Sequence, residues 1–114
     1  MVKYQELYIT LCLELNKGYK KSDVKAHNIA MKELAKIFYQ AKKEQDKSFF
    51  LELLRNDSVQ VRLIASAHCL GLNIYIGEAK KVLTSIAKDR SNVKLAFEAQ
   101  ATLDVWKQQG YLKF

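Results

Sequence analysis

Apolar side chains recur at steps of three and four residues along nearly the whole chain, and proline is absent. That period places them on one face of successive helices. With only four glycines there are few residues to build tight turns, which argues against a many-stranded sandwich or barrel. In the first segment Tyr4, Leu7, Tyr8, Leu11 and Leu15 share a face, and Gly18 is placed to stop it. Ser22 or Asp23 can cap a second helix carrying His27, Ala30, Met31, Leu34, Ile37, Phe38 and Ala41, running to about residue 43. Asp46 or Ser48 caps a short third helix with Phe49, Phe50, Leu53 and Leu54. Asp57 caps a fourth, over 58–70, closed by Gly71. The fourth is apolar on two sides, with Val61, Ile64, Ala65 and His68 on one stripe and Leu63, Ala67 and Leu70 on another. Such a helix is normally sandwiched between neighbours. A fifth helix over about 78–88 carries Val82, Leu83, Ile86 and Ala87. Ser91 caps a sixth with Val93, Phe97, Leu103 and Trp106, ended near Gly110.

At 114 residues this is the material for one domain, spanning 1–114. An apolar fraction of 49% against 27% charged is a globular balance and excludes a disordered tail. Two cysteines make no disulfide framework, so a reducing, cytoplasmic setting is expected. The run Leu7 to Leu13, broken by Glu14, is too short to span a bilayer and has no small-residue cleavage site after it, so neither a membrane segment nor a secretory signal is expected.

Two of the helices repeat. Asp57 to Ala67 and Asp89 to Ala99 align at an offset of 32, matching Asp57 with Asp89, Val61 with Val93, Arg62 with Lys94, Leu63 with Leu95 and Ala67 with Ala99. A period in the thirties with a helix pair per unit is the mark of an α-solenoid, in which each pair buries its apolar face only by stacking on the next. The stretch Asp57 to Leu70, with its Val61-Arg62 pair followed by alanines, resembles a HEAT repeat. The run Val61 to His68, and the later Ala99 to Trp106 with Gly110 beyond, are similar to a small bacterial family of HEAT-like proteins. The resemblance covers the second half of the chain. It implies an all-α fold, a short α-α superhelix of about three helix pairs, and a binding module without catalytic residues; some members are encoded beside toxin genes.

Lys21, Lys25, Lys32, Lys36 and Lys43 follow one another at steps of four, seven, four and seven, so they line one ridge of the second helix. None has an acid four residues before it, and Glu33 is expected on another side. One reading is a solvated face that keeps a chain of net charge +7 in solution. The other is a surface for an acidic partner, because a row of like charge raises the local potential and steers association. In HEAT-like stacks the second helix of each pair lines the concave side, so the resemblance implies a groove made by the second, fourth and sixth helices. Asn28, Arg62, Ser66, Lys94 and Gln100 are candidates to line it beside Lys21, Lys25, Lys32 and Lys36.

Arg62 has a structural reading as well, an ion pair with Asp57 or Asp89. A carboxylate-rich protein is the first choice of partner. Nucleic acid is the second, since lysines contact phosphate but arginine is scarce and Tyr39 is the one ring near the ridge. His27 and His68 are the only histidines, and neither has ligands at metal spacing or an orienting acid; His68 reads as a core residue. Cys12 and Cys69 read as small buried apolar residues, Trp106 as packing the last helix, and Tyr75 and Tyr111 as anchor candidates. No phosphate-cradling or hydrolase motif occurs, and no metal, cofactor or enzymatic activity is expected. The expected function is non-catalytic protein binding. With the resemblance, it becomes an immunity protein holding a bacterial toxin, with nucleic-acid binding by the lysine ridge as the alternative.

Overall fold

A computed structural model describes residues 2–15 and 24–112, and the regular structure among them is helix alone. The elements are α1 (Val2–Leu15), α2 (Val24–Lys43), α3 (Phe49–Leu53), α4 (Val59–Leu72), α5 (Ile76–Lys88) and α6 (Val93–Gln109). Lys21, the Gly18 stop and the Ser22 or Asp23 cap lie outside the described residues. The all-helical expectation holds. Packing divides the chain into two compact units, with the boundary at Phe49–Phe50 inside α3.

In the first unit α1 and α2 pack together. The buried stripe of α1 is Tyr8, Cys12 and Leu15, at steps of four and three. Leu7, expected on that face, is largely exposed. Consecutive helical residues lie about 100° apart, so a stripe centred on Tyr8 and Cys12 turns Leu7 to the side. On α2, Ala30, Leu34, Ile37, Phe38 and Ala41 are buried, whereas Met31 falls off the edge of the stripe and is half exposed. Past α2, Asp46 Oδ1 accepts from the Ser48 N–H at 3.0 Å and the Ser48 hydroxyl at 2.6 Å, a local turn that leads directly into α3.

In the second unit α5 packs against both α4 and α6, and α4 also touches α6. The inward seam of α5 is Ala79, Leu83 and Ile86, at i, i+4 and i+7. α4 is buried on more than one side: Val61, Ala65 and Cys69 are inaccessible, and Leu63 and Leu70 nearly so. Phe50, also fully buried, meets the His68 ring edge-on with centroids 6.5 Å apart. The two-sided burial expected of the fourth helix is therefore observed.

The ends of α4 differ from expectation in detail. Ser58, not Asp57, is the N-cap, its hydroxyl accepting from the Val61 N–H at 3.4 Å. Asn56 Oδ1 accepts the Ser58 N–H at 2.8 Å. Gly71 lies within the helix, which runs on to Leu72 and ends at Asn73 in the left-handed region, φ 61°. The Asn73 N–H turns back to the Cys69 and Leu70 carbonyls. Asparagine tolerates that conformation better than most side chains, and it stops the helix where Gly71 does not. Tyr75, two residues on, is also left-handed at φ 46° and starts α5 without a side-chain cap.

α6 is capped by Asn92, whose Oδ1 accepts the Leu95 N–H at 3.2 Å, rather than by Ser91. Ser91 instead donates its N–H and hydroxyl to Asp89 Oδ1, at 2.9 and 2.6 Å, just as Ser48 does to Asp46. The two caps, Ser58 and Asn92, lie 34 positions apart. At that offset Val61 corresponds to Leu95, Ala65 to Ala99 and Cys69 to Leu103, and all six are buried. The offset of 32 seen in the residue letters pairs buried Val61 with Val93, which is 75% exposed. The structural period of these helices is set by cap and core, two residues longer than the letter match.

Leu83 is the fully buried middle of the α5 seam. Leu83→Ala should lower the unfolding free energy of the second unit by about 2–5 kcal/mol, measured by urea denaturation, while an outward change on the same helix, Thr84→Ala, stays within about 0.5 kcal/mol.

Candidate binding surface

The pole of α2 opposite its buried stripe is occupied by Lys25, Lys32, Lys36 and Lys43, with Tyr39 among them and Asn28 beside them, all exposed. The periodicity that buries Ala30, Leu34, Ile37 and Ala41 dictates this: residues about 180° from the core stripe have nowhere to go but water. Lys32, Lys36, Tyr39, Gln40 and Lys43 frame a shallow open depression floored by Ala35. Tyr39, 48% exposed, sets its ring edge-on to buried Phe38, centroids 5.2 Å apart, so its position is anchored from beneath.

The ridge is not wholly free of acid. Glu33 Oε1 lies 3.0 Å from Lys36 Nζ, a pair one helical turn apart, contrary to the expectation that Glu33 sits on another side. An i,i+3 spacing leaves the two Cα atoms only about 60° apart around the axis, and the lysine stem covers that distance. Both groups are open to water, so the pair is worth under about 1 kcal/mol and exchanges readily for another partner. Among the described residues no carboxylate is within ion-pair range of Lys25, Lys32 or Lys43. The face therefore keeps a net surplus of positive charge.

The remaining candidates belong to the second unit. Arg62 is half buried and its Nη1 donates to the Asn56 carbonyl. It closes the turn before α4, in place of the expected ion pair with Asp57 or Asp89. Ser66 is fully buried and donates its hydroxyl to the Leu63 carbonyl at 2.9 Å, so it is a core residue and not a surface contact. The polar letter suggested a groove; the helix phase decided otherwise, because Ser66 lies on the side that packs inward. Lys94 and Gln100 are exposed on different sides of α6, and Gln100 Nε2 donates to Asp104 Oδ1 at 2.9 Å.

His68 is nearly inaccessible, and burial pushes its pKa down from 6.5 to about 3, so the ring is neutral at pH 7. Burial pushes the Cys12 and Cys69 thiols up to about 12, leaving them protonated and unreactive. Among the described residues no three His, Cys, Asp or Glu side chains gather as a metal site would require, and no helix is long and apolar enough to cross a membrane.

A second basic face escaped the sequence reading. On α5, Lys80, Lys81, Thr84, Ser85 and Lys88 line another shallow depression, and Lys80 Nζ stands 5.3 Å from the Trp106 ring centre, a cation–π contact to α6. The same test of helical spacing that picks out the α2 lysines, applied to 80, 81, 84 and 88, identifies it. Trp106 thus joins α6 to α5, in keeping with its packing role.

A scan against protein-family models, a search of curated proteins and a search of solved structures each find no match.

The neutral core histidine has a pH consequence. In the folded state its pKa lies below the unfolded value, so its contribution to stability is complete above pH 6.5 and is lost as pH falls from there toward 3. Within that window the unfolding free energy should drop by about 1.4 kcal/mol per pH unit on its account. In His68→Gln that slope should disappear, as read by urea denaturation of both proteins from pH 7 to pH 4.

Proposed function

We propose that the chain is a non-catalytic binding module that holds an acidic protein partner against the lysine face of α2. The single observation carrying the reading is that Lys25, Lys32, Lys36 and Lys43 share the outer pole of one helix, and among the described residues Glu33 is the one carboxylate at ion-pair distance from any of them. Steering by such a row raises association rates and fixes register more than it adds affinity. Tyr39, half exposed between two of the lysines and edge-on to buried Phe38, supplies the aromatic contact that a protein interface favours at its centre.

The finer form of the proposal is an immunity-type protein on a short HEAT-like α-α superhelix, occluding a bacterial toxin by sitting on an acidic patch of it. The sequence resemblance supports that form. So does the second unit, where α5 packs against the helix before it and the helix after it, as a stacked repeat requires. Ser66 drops out of the contact set, and Arg62 enters only as a support of the α4 start. Asn28 remains with the lysines; Lys94 and Gln100 belong to the second unit.

The reading predicts a toxin domain encoded beside the gene, and the test is co-expression with it, scored by cell survival, together with a binding titration of the purified pair. Lys25→Glu with Lys32→Glu should reduce affinity by at least about tenfold and abolish rescue, since each rim charge changes sign, while helical content stays unchanged. Unaltered rescue would make the ridge a solvated surface and nothing more. Tight binding of random 20-nucleotide RNA, with affinity falling steeply as salt rises, would instead favour the nucleic-acid reading.

A further inference from the structure

The outer face of α6 is apolar where a helix face turned to water should be polar. Phe97 is 73% exposed and Val93 75%, with Val105 and partly buried Ala101 continuing the row at four-residue steps. The buried side of the helix is Leu95, Ala99 and Leu103, centred on Ala99. The outward direction is therefore the one opposite Ala99.

About the level of Ala99 the outer face reads the same in both directions. Val93 and Val105 stand six residues to either side, Lys94 and Asp104 five, Phe97 and Ala101 two. At 100° per residue the members of each pair also deviate equally from the outward direction, by about 60°, 40° and 20° respectively, on opposite sides. A two-fold axis perpendicular to α6 at Ala99 would superpose a second, antiparallel α6 with valine at the height of valine, phenylalanine at the height of alanine, and lysine at the height of aspartate.

The geometry points to a second copy of this chain as the occupant of the face, in an antiparallel α6–α6 dimer. Two features of the face select a copy over an unrelated partner. The first is volume: Ala101 of one copy leaves the space that Phe97 of the other fills, twice over, as an isologous interface demands. The second is charge. With helix axes about 9 Å apart, residues placed as Lys94 and Asp104 have Cβ atoms about 6 Å apart across the axis, within reach of an ion pair. Asp104 already accepts from Gln100, which orients its carboxylate. A helix pair of this length buries less than the roughly 800 Å² per partner of a standard stable interface, so the dimer is weak and depends on concentration.

Sedimentation equilibrium on the full chain up to about 500 µM tests it. The wild type should show a concentration-dependent monomer–dimer equilibrium. Phe97→Asp should weaken it by at least about tenfold, and the exposed position leaves the fold intact by circular dichroism. Lys94→Asp and Asp104→Lys should each weaken it by about three- to tenfold, because each sets like charges opposite one another twice. The double variant should return to wild-type affinity. The swapped charges suit the α6 dipole better than the native ones, so a loss in either single variant cannot be blamed on helix unfolding. A chain that stays monomeric throughout overturns the proposal and leaves the face to a different protein or to a further helix. A dimer indifferent to Phe97→Asp, or one that the double swap fails to restore, overturns it equally.

Discussion

The second unit depends on α5 having a single narrow apolar seam that two other helices share. Ala79, Leu83 and Ile86 are its inward residues, and everything else on the helix is polar or at the margin. Fully burying such side chains is worth about 1.5–3 kcal/mol each for the larger ones, and the alanine permits close approach of the helix backbones. Because that seam lies between α4 and α6, each neighbour must present an equally regular stripe. Val61, Ala65 and Cys69 do so on α4, and Leu95, Ala99 and Leu103 on α6, at identical four-residue steps. The caps at Ser58 and Asn92 hold those stripes in phase with one another.

Helix number, type and approximate place were legible because the apolar period is carried by many residues at once. Single letters misled. Gly71 invites a stop, but a glycine within a well-packed helix costs only about 1 kcal/mol, and α4 continues until Asn73 adopts the left-handed conformation. The match between Asp57–Ala67 and Asp89–Ala99 is a likeness of letters in which the caps are out of step by two, so it equates buried Val61 with exposed Val93 although Leu63 and Leu95 are both buried. Ser66 read as a groove residue by chemistry and is a core residue by phase. Phe97, noted in the sequence only as one of the apolar residues of the sixth helix, is among the most exposed residues of that helix. In each case the side chain's type is a weaker guide than its angle relative to the neighbours already known to be buried.

The lysine face of α2 was legible for the same reason that the core was. A row at steps of seven and four stays on one side of a helix whatever its neighbours do, and the buried stripe of Ala30, Leu34, Ile37 and Ala41 fixes which side. Its electrostatics were less legible, since sequence spacing says little about where a long side chain settles. Lys36 bends to Glu33, and Arg62 spends its guanidinium on a backbone carbonyl rather than on either aspartate. Carbonyls that close turns outnumber well-placed carboxylates, and a half-buried arginine near a helix start finds one first.

The outer faces of the helices differ in how their charges balance. The lysines crowd the outer faces of α2 and α5, while the outer face of α6 carries Lys94 and Asp104 in balance. A net charge of +7 per chain opposes self-association in general. At physiological ionic strength, though, a charge acts over only about 8 Å, so the repulsion that matters at a contact comes from groups beside it. On α6 those groups cancel, and the hydrophobic contribution of Phe97 and the flanking valines is left unopposed. On α2 they do not cancel, and apolar contact with a second basic face is disfavoured. The same helical periodicity that builds the core thus leaves two outer faces of different character: one of uncancelled lysines, which we propose for an acidic partner, and one locally neutral, apolar and symmetric, which we propose for a second copy.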